Sequence, residues 1–468
     1  MPYFKQRVFS LIGLLMVLSL VLAGCPAPAP AAAPSAGDTP APAAASDEPV
    51  TLTVATVNNP DMQVMQGLTS EFETLHPNIK LDWVVLPENE LRSRVTTDVA
   101  TGAASFDVVT VGTYEVPIWA GNDWISSIDQ LSKDNPASVQ ADYDFEDILP
   151  AIRLGLSSGE EMYALPFYGE SSFVMYNKRM FDEAGLTMPE QPTWDQIREF
   201  ACALHKPDEQ QYGIVLRGLP GWGEMMAPVT TMVNTYGGRW FDENWQAQLT
   251  SPEWEQAVSF YASLVQECGA PGVTGIGFTE ALTLMSQGQA AMWVDATVAA
   301  GFLAKSEAGA DIAYALAPVG PVAKGNAWLW AWSLAIPKTS AYQAEALQFI
   351  TWATSKDYIE LVASKEGWAS VPPGTRTSTY ERAEYLEAAP FANLVLQSIQ
   401  NADPTDSTRD PVPYTGVQFV AIPEFQGIGT DVSQFIADAL AGNITVKEAL
   451  AQAQAATEAA MTDAGYPK

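Results

Sequence analysis

From Val50 onward the apolar positions fall into short strand-like runs separated by helical ones. VTLTVATV (50–57) alternates as a half-buried strand, Met62 to Leu75 repeats at helical spacing and stops at His76-Pro77, and IKLDWVVL (79–86) is a second strand. Glu88 to Thr101 is helical again, and FDVVTVG (106–112) is a more continuously apolar strand of the kind covered on both faces. Strands alternating with helices predict an α/β fold with a parallel sheet and right-handed crossovers, in which a ligand sits beyond the carboxyl ends of the strands. YALPFY (163–168) then leads through Gly169-Glu170-Ser171-Ser172 into FVMYN (173–177). Pro166 and Gly169 interrupt what would be one extended segment, as suits a crossing between lobes. Helices at 194–204 and 252–266, a strand AMWVDA (291–296), an extended run IAYALAPV (312–319) and a returning strand WLWAWSLAIP (328–337) follow. Helices at 341–354 and 356–364 precede a loop-rich stretch from Val371 that ends in helices near 431–440 and 446–463.

The first 49 residues read differently. Lys5 and Arg7 head an apolar run from Val8 to Leu22, shorter than the roughly 20 residues a spanning helix needs. Residues 1–24 therefore read as a signal peptide, and Leu22-Ala23-Gly24-Cys25 resembles a bacterial lipobox, whose Cys25 thiol would receive a diacylglycerol. Acyl chains bury about 0.8 kcal/mol per CH2, so two or more hold a protein on a membrane surface. Residues 25–49 are almost wholly Pro, Ala and small polar residues and predict an extended tether with no core. The expected location is the outer face of the cytoplasmic membrane, periplasmic if an outer membrane is present.

Composition narrows the function classes. Among 468 residues, 23 Lys and Arg stand against 55 Asp and Glu, a formal net charge of −32 that leaves no basic surface for nucleic acid. The length fits about two to four domains. Two His leave little scope for acid–base or metal chemistry, and no phosphate-binding, HExxH or GxSxG motif is present. The acidic runs at 142–147 and 401–410 lack the spacing of a calcium loop, so neither a metal nor a cofactor is expected. With Cys25 acylated, Cys202 and Cys268 are the remaining thiols; an oxidising compartment permits a bridge, which geometry must decide.

Chemistry gathers where the strands end. Asn58-Asn59-Pro60-Asp61 follows the first strand and Thr113-Tyr114-Glu115 the third, two loops that either cap helices or line a site. Tyr168 and Glu170 stand at the crossing, and Asp295 closes a further strand. Trp328, Trp330 and Trp332 are spaced by two and share one strand face, so at least one of them is expected in the core. Trp222 lies in a Pro-Gly-Trp-Gly turn where nothing in the backbone calls for an indole.

The run ALPFYGESSFVMYNKRMFDEAGLTMPEQPTWDQI (164–197) resembles the hallmark region of the family 1 extracellular solute-binding proteins, which includes maltose-binding protein. Segments 217–229, 239–246, 291–300, 328–338, 351–378 and 413–430 resemble its sorbitol/mannitol branch, and the likeness spans nearly all of 50–468. It implies a two-lobed type II periplasmic-binding-protein fold with hinge strands. Lobe one would take 50–167 and 318–370, and lobe two 168–317 and 371–468. It implies capture of a sugar alcohol of the mannitol, sorbitol or arabitol class between the lobes, delivery to ABC permease subunits in the membrane, and no enzymatic activity in this chain, read as a monomer.

A linear polyol needs paired hydrogen-bonding groups and an aromatic platform, because each buried hydroxyl left unpartnered costs about 1–3 kcal/mol. The ligand set expected on that basis is Asn58, Asn59, Asp61, Tyr114, Glu115, Tyr168, Glu170, Trp222, Asp295, Trp330 and Arg376. An aldose or oligosaccharide ligand is the alternative within the family. A lipid-anchored carbohydrate-active enzyme using Glu170 and Asp295 as acid and base is the alternative outside it.

Overall fold

The computed structural model of the protein describes residues 49–467; the expected signal peptide at 1–24, Cys25 and all of the tether but Pro49 lie outside the described residues. The alternating run at Val50 forms strand β1 (Val50–Val57), followed by helices α1 (Pro60–Gly67) and α2 (Thr69–Leu75), strand β2 (Ile79–Leu86), helix α3 (Glu88–Thr101), strand β3 (Val108–Gly112) and helix α4 (Glu115–Gly121). The helix expected over 62–75 is thus two, broken at Leu68. A short hairpin, β4 (Ser157–Ser158) and β5 (Glu161–Met162), precedes β6 (Leu165–Glu170) and β7 (Ser172–Asn177); β8 (Met292–Ala296), β9 (Ile312–Leu316) and β10 (Trp330–Ala335) complete the strands.

The strands make two main sheets. The first runs β2-β1-β3-β10-β6 and the second β8-β7-β9. The parallel sheet expected from the alternating elements is present for β1, β2 and β3, but β10 enters antiparallel between β3 and β6, and the second sheet is wholly antiparallel. Every residue of β10 is buried, as its interior position requires. Pro166, which cannot donate to a ladder, sits on the edge strand β6, next to a register shift at Trp332 and Ser333.

The chain changes sheets within one residue. Glu170 pairs with Trp330 in the first sheet and Ser172 with Ala296 in the second, leaving Ser171 as the link. A second pass of the chain crosses there, with Gly169 N donating to Pro373 O at 2.8 Å. A Cβ on Gly169 would lie 2.2 Å from Gly374 O, and one on Gly374 2.0 Å from Gly169 O, so both positions need glycine.

The helices expected at 194–204 and 252–266 form at Trp194–Leu204 and Pro252–Cys268, the first begun by a Thr193/Gln196 capping box and the second by Ser251. Cys202 and Cys268 join them in a disulfide, Cα atoms 5.0 Å apart and 66 residues distant in sequence. Closing a loop of that length removes about 4 kcal/mol of unfolded-chain entropy. The Cys202→Ser, Cys268→Ser double variant is therefore expected to lose about 2–4 kcal/mol in urea unfolding. An unchanged midpoint would contradict it.

The stretch from Val371 is less loop-rich than its composition predicts: helices span Ala383–Ala388 and Ala392–Asn401, and the next begins at Phe425, not near 431. Ala392–Asn401 buries Ala392, Val395, Ser398 and Ile399, a helical stripe partly written in small and polar residues.

Candidate functional site

The first turn of α3, the crossing at Glu170 and the start of β10 face a loop at Arg217–Gly223, and between them lies a cavity. Its walls are Asn59, Glu88, Arg92, Tyr168, Glu170, Arg217, Trp222, Gly223, Ala227, Phe278, Ala296, Val298, Trp328, Trp330, Trp332, Gln418 and Phe419. They enclose about 500 Å³ of non-atom space, the open mouth included, within the range of small-molecule sites.

Aromatic rings form most of the wall. Trp328, Trp330 and Trp332 are all buried in the hydrophobic core, as expected for at least one of them, and all three also border the cavity. Trp330 meets Trp222 with ring centroids 6.1 Å apart and Trp332 at 5.5 Å, both edge-to-face. Trp330 can lie there because Gly112 has no side chain: a Cβ at that position would come within 1.9 Å of the indole. Gly112→Ala is expected to push the ring into the cavity, cost about 1–3 kcal/mol in thermal unfolding and weaken ligand binding. Unaltered stability and affinity would show that the ring is not held there.

Two buried guanidinium groups organise the carboxylates. Arg92 donates to Glu88 Oε1 from Nε (3.2 Å) and Nη2 (3.0 Å) and to Glu115 Oε1 from Nη1 (2.6 Å). Its carbon lies 4.2, 4.7 and 4.6 Å from the ring centroids of Trp222, Trp330 and Trp332, a cation–π arrangement tying α3 to the opposite loop. Arg217 donates to both oxygens of Asp295 (2.8 and 2.5 Å), to Glu224 (3.3 Å) and to Gly223 O (3.3 Å). Burial pushes the Glu224 carboxyl up to about 7, aided by Glu88 and opposed by Arg217. Glu170 is 7% exposed and accepts no hydrogen bond among the described residues. Burial raises its carboxyl well above the ordinary range, against the pull of Arg217.

Of the residues expected from sequence, Asn59, Tyr168, Glu170, Trp222 and Trp330 line this cavity, with Asn59 Nδ2 donating to Tyr168 Oη at 2.8 Å. Tyr114 and Glu115 stand behind the wall. Tyr114 packs on Trp222 and donates to Ile422 O (2.6 Å), and Glu115 holds Arg92. Asp295 is also behind it: each oxygen already accepts two hydrogen bonds, Oδ1 from Arg217 and Ala296 N, Oδ2 from Arg217 and Trp293 Nε1. Its capacity is spent on the scaffold, which withdraws it from ligand contact and from an acid–base pair with Glu170.

Three residues stand elsewhere. Asn58 is exposed and accepts from Gln63. Asp61, in the first turn of α1, faces a second small cavity with Thr297, Ser370 and Val371. Arg376 is buried where it donates to Thr354 O (3.1 and 2.9 Å) and covers the Tyr143 ring at 4.6 Å, so it serves the fold. Sequence reasoning missed Glu88, Arg92, Arg217, Phe278, Gln418 and Phe419. The first two had a readable signal, an acid–base pair at i,i+4 opening the helix after β2.

The family model for the bacterial extracellular solute-binding protein matches residues 56–360. A mannitol-binding protein of Pseudomonas aeruginosa is 49% identical over 421 residues, covering 89% of this chain and 94% of that one. The crystal structure of an ABC transporter solute-binding protein from Agrobacterium vitis S4 with bound D-mannitol is 51% identical, with a TM-score of 0.87 over 90% of this chain and 100% of that one. A maltose-bound T. maritima protein shares the fold at a TM-score of 0.72 and 20% identity, over 87% of this chain and 99% of that one.

Proposed function

This chain belongs to the bacterial extracellular solute-binding protein family, and we propose that it captures a sugar alcohol of the mannitol, sorbitol or arabitol class in the tryptophan-lined cavity for an ABC importer. It has the maltose-binding-protein-like mixed α/β fold of its relatives, which are binding proteins and not enzymes. One observation carries the choice of ligand. Both guanidinium groups at the cavity are already paired to carboxylates, while the Glu170 carboxyl and those parts of Trp222, Trp328, Trp330 and Trp332 that border the cavity are left for the guest. Such walls suit an uncharged chain with O–H donors and a ridge of C–H groups, and offer no free cation to a sugar phosphate or sugar acid.

The ligand would touch both sheets and draw them together, because a guest with greater affinity for the closed arrangement shifts the equilibrium toward it. The two lobes, 50–167 with 318–370 and 168–317 with 371–468, would hinge at the crossings beside Ser171 and Gly374. Closed protein would be what the permease recognises. The family's extracellular character gives an extracytoplasmic location. Anchoring would run through acylated Cys25 and the 25–49 tether; among the described residues no helix is long and apolar enough to cross a membrane. A thermal-shift panel of hexitols and pentitols against matched aldoses and maltose tests the ligand class. Stabilisation by the polyols is expected; stabilisation by sugars alone would overturn it.

A further inference from the structure

The charges around the cavity do not balance. Arg92 is matched by Glu88 and Glu115, and Arg217 by Asp295 and Glu224. Glu170, a fifth carboxyl, has no cation of its own, and the lining holds neither Lys nor His. It is more than nine-tenths buried, borders the cavity and accepts no hydrogen bond among the described residues. A neutral polyol leaves this surplus of carboxylate in place. A ligand carrying one positive charge would reduce it.

We infer that the site also takes protonated amino-polyols, linear hydroxylated chains with one terminal ammonium, and that the ammonium seats against Glu170. This rests on the polyol reading, since the hydroxylated remainder would use the same indole faces. An ammonium brings three N–H donors where a hydroxyl brings one, and a charge-assisted bond is roughly twice as strong as a neutral one. Desolvating the ammonium is costly unless an unpaired carboxylate awaits it, and Glu170 meets that condition. The groups acting on Glu170 are Arg217, which favours its ionised form, and Asp295, Glu88 and Asp61, which oppose it. Burial raises its carboxyl above the ordinary range, and the positive charge of a seated ammonium would act with Arg217 to favour the ionised form. The same reasoning excludes the corresponding sugar acids.

The test is calorimetry on the full chain with D-mannitol and 1-amino-1-deoxy-D-mannitol, each at pH 7. The amine is expected to bind at least as tightly as mannitol. Glu170→Gln is expected to weaken the amine about a hundredfold and mannitol about tenfold or less. Mannitol binding with no amine binding, or an equal loss for both ligands in Glu170→Gln, would each overturn the inference. If the wild-type chain binds neither compound, the polyol reading fails and takes this inference with it.

Discussion

Arg217→Met is expected to destabilise the protein by about 3–5 kcal/mol, the cost of leaving buried carboxylates without their cation. Arg217 is 5% exposed, and Asp295, which receives two of its N–H groups, is fully buried. Without the guanidinium, Asp295 keeps only Trp293 Nε1 and Ala296 N, and Glu224 keeps only Phe278 N. The loop that carries Trp222 would also lose its tie to β8, so ligand affinity should fall with stability. Adding Asp295→Asn to Arg217→Met should recover part of the loss, because a neutral amide replaces the stranded charge. Non-additivity in urea unfolding of the two single variants and the double variant would measure the coupling. A loss below about 1 kcal/mol for Arg217→Met would mean that the pair is solvated.

Stability is also expected to fall as pH rises from 5 to 8, by on the order of 4 kcal/mol from Asp61 alone. Asp61 is 4% exposed, its Oδ2 has no hydrogen-bond partner among the described residues, and burial pushes its carboxyl from the ordinary 3.8 up to about 8. Between those values the folded chain holds a proton that the unfolded chain has released. Stability therefore declines through the interval and levels off above it, where both states are ionised. Asp61→Asn removes the titration, so its stability should change less over this range and exceed that of the parent at pH 8. Surface repulsion among the many acidic residues acts on both chains alike and cancels in the comparison. Equal slopes in denaturant unfolding at pH 5, 6.5 and 8 would show that water reaches the carboxyl.

The contrast between Asp61 and Glu170 shows how far the sequence could be read. Both are acids beside strand ends, and the rule that ligands gather beyond those ends picks out both. Which of them meets the cavity depends on where the neighbouring side chains point. Asp61 opens a helix whose first turn faces Ser370 and Val371, whereas Glu170 is the last residue before the chain changes sheets. β1, β2 and α3 were legible to the residue because alternation and helical spacing are local properties. Met226–Thr235 was invisible because all ten of its residues are buried and no polar face marks a period. The direction of β10 was hidden because a continuously apolar strand looks the same parallel or antiparallel. Arg217 was missed because its partners lie 7 and 78 residues away, a pairing made by the fold.

On the proposed function, one uncharged polyol would sit among Trp222, Trp330 and Glu170 and leave unchanged. Calorimetric titration of the chain with D-mannitol, followed by recovery of the ligand, tests it most directly. The account predicts saturable binding of one ligand per chain at micromolar affinity or tighter, about −8 kcal/mol or more favourable, and intact mannitol on release. Absence of saturation up to about 1 mM, which corresponds to only about −4 kcal/mol, or recovery of a chemically altered product, would contradict it.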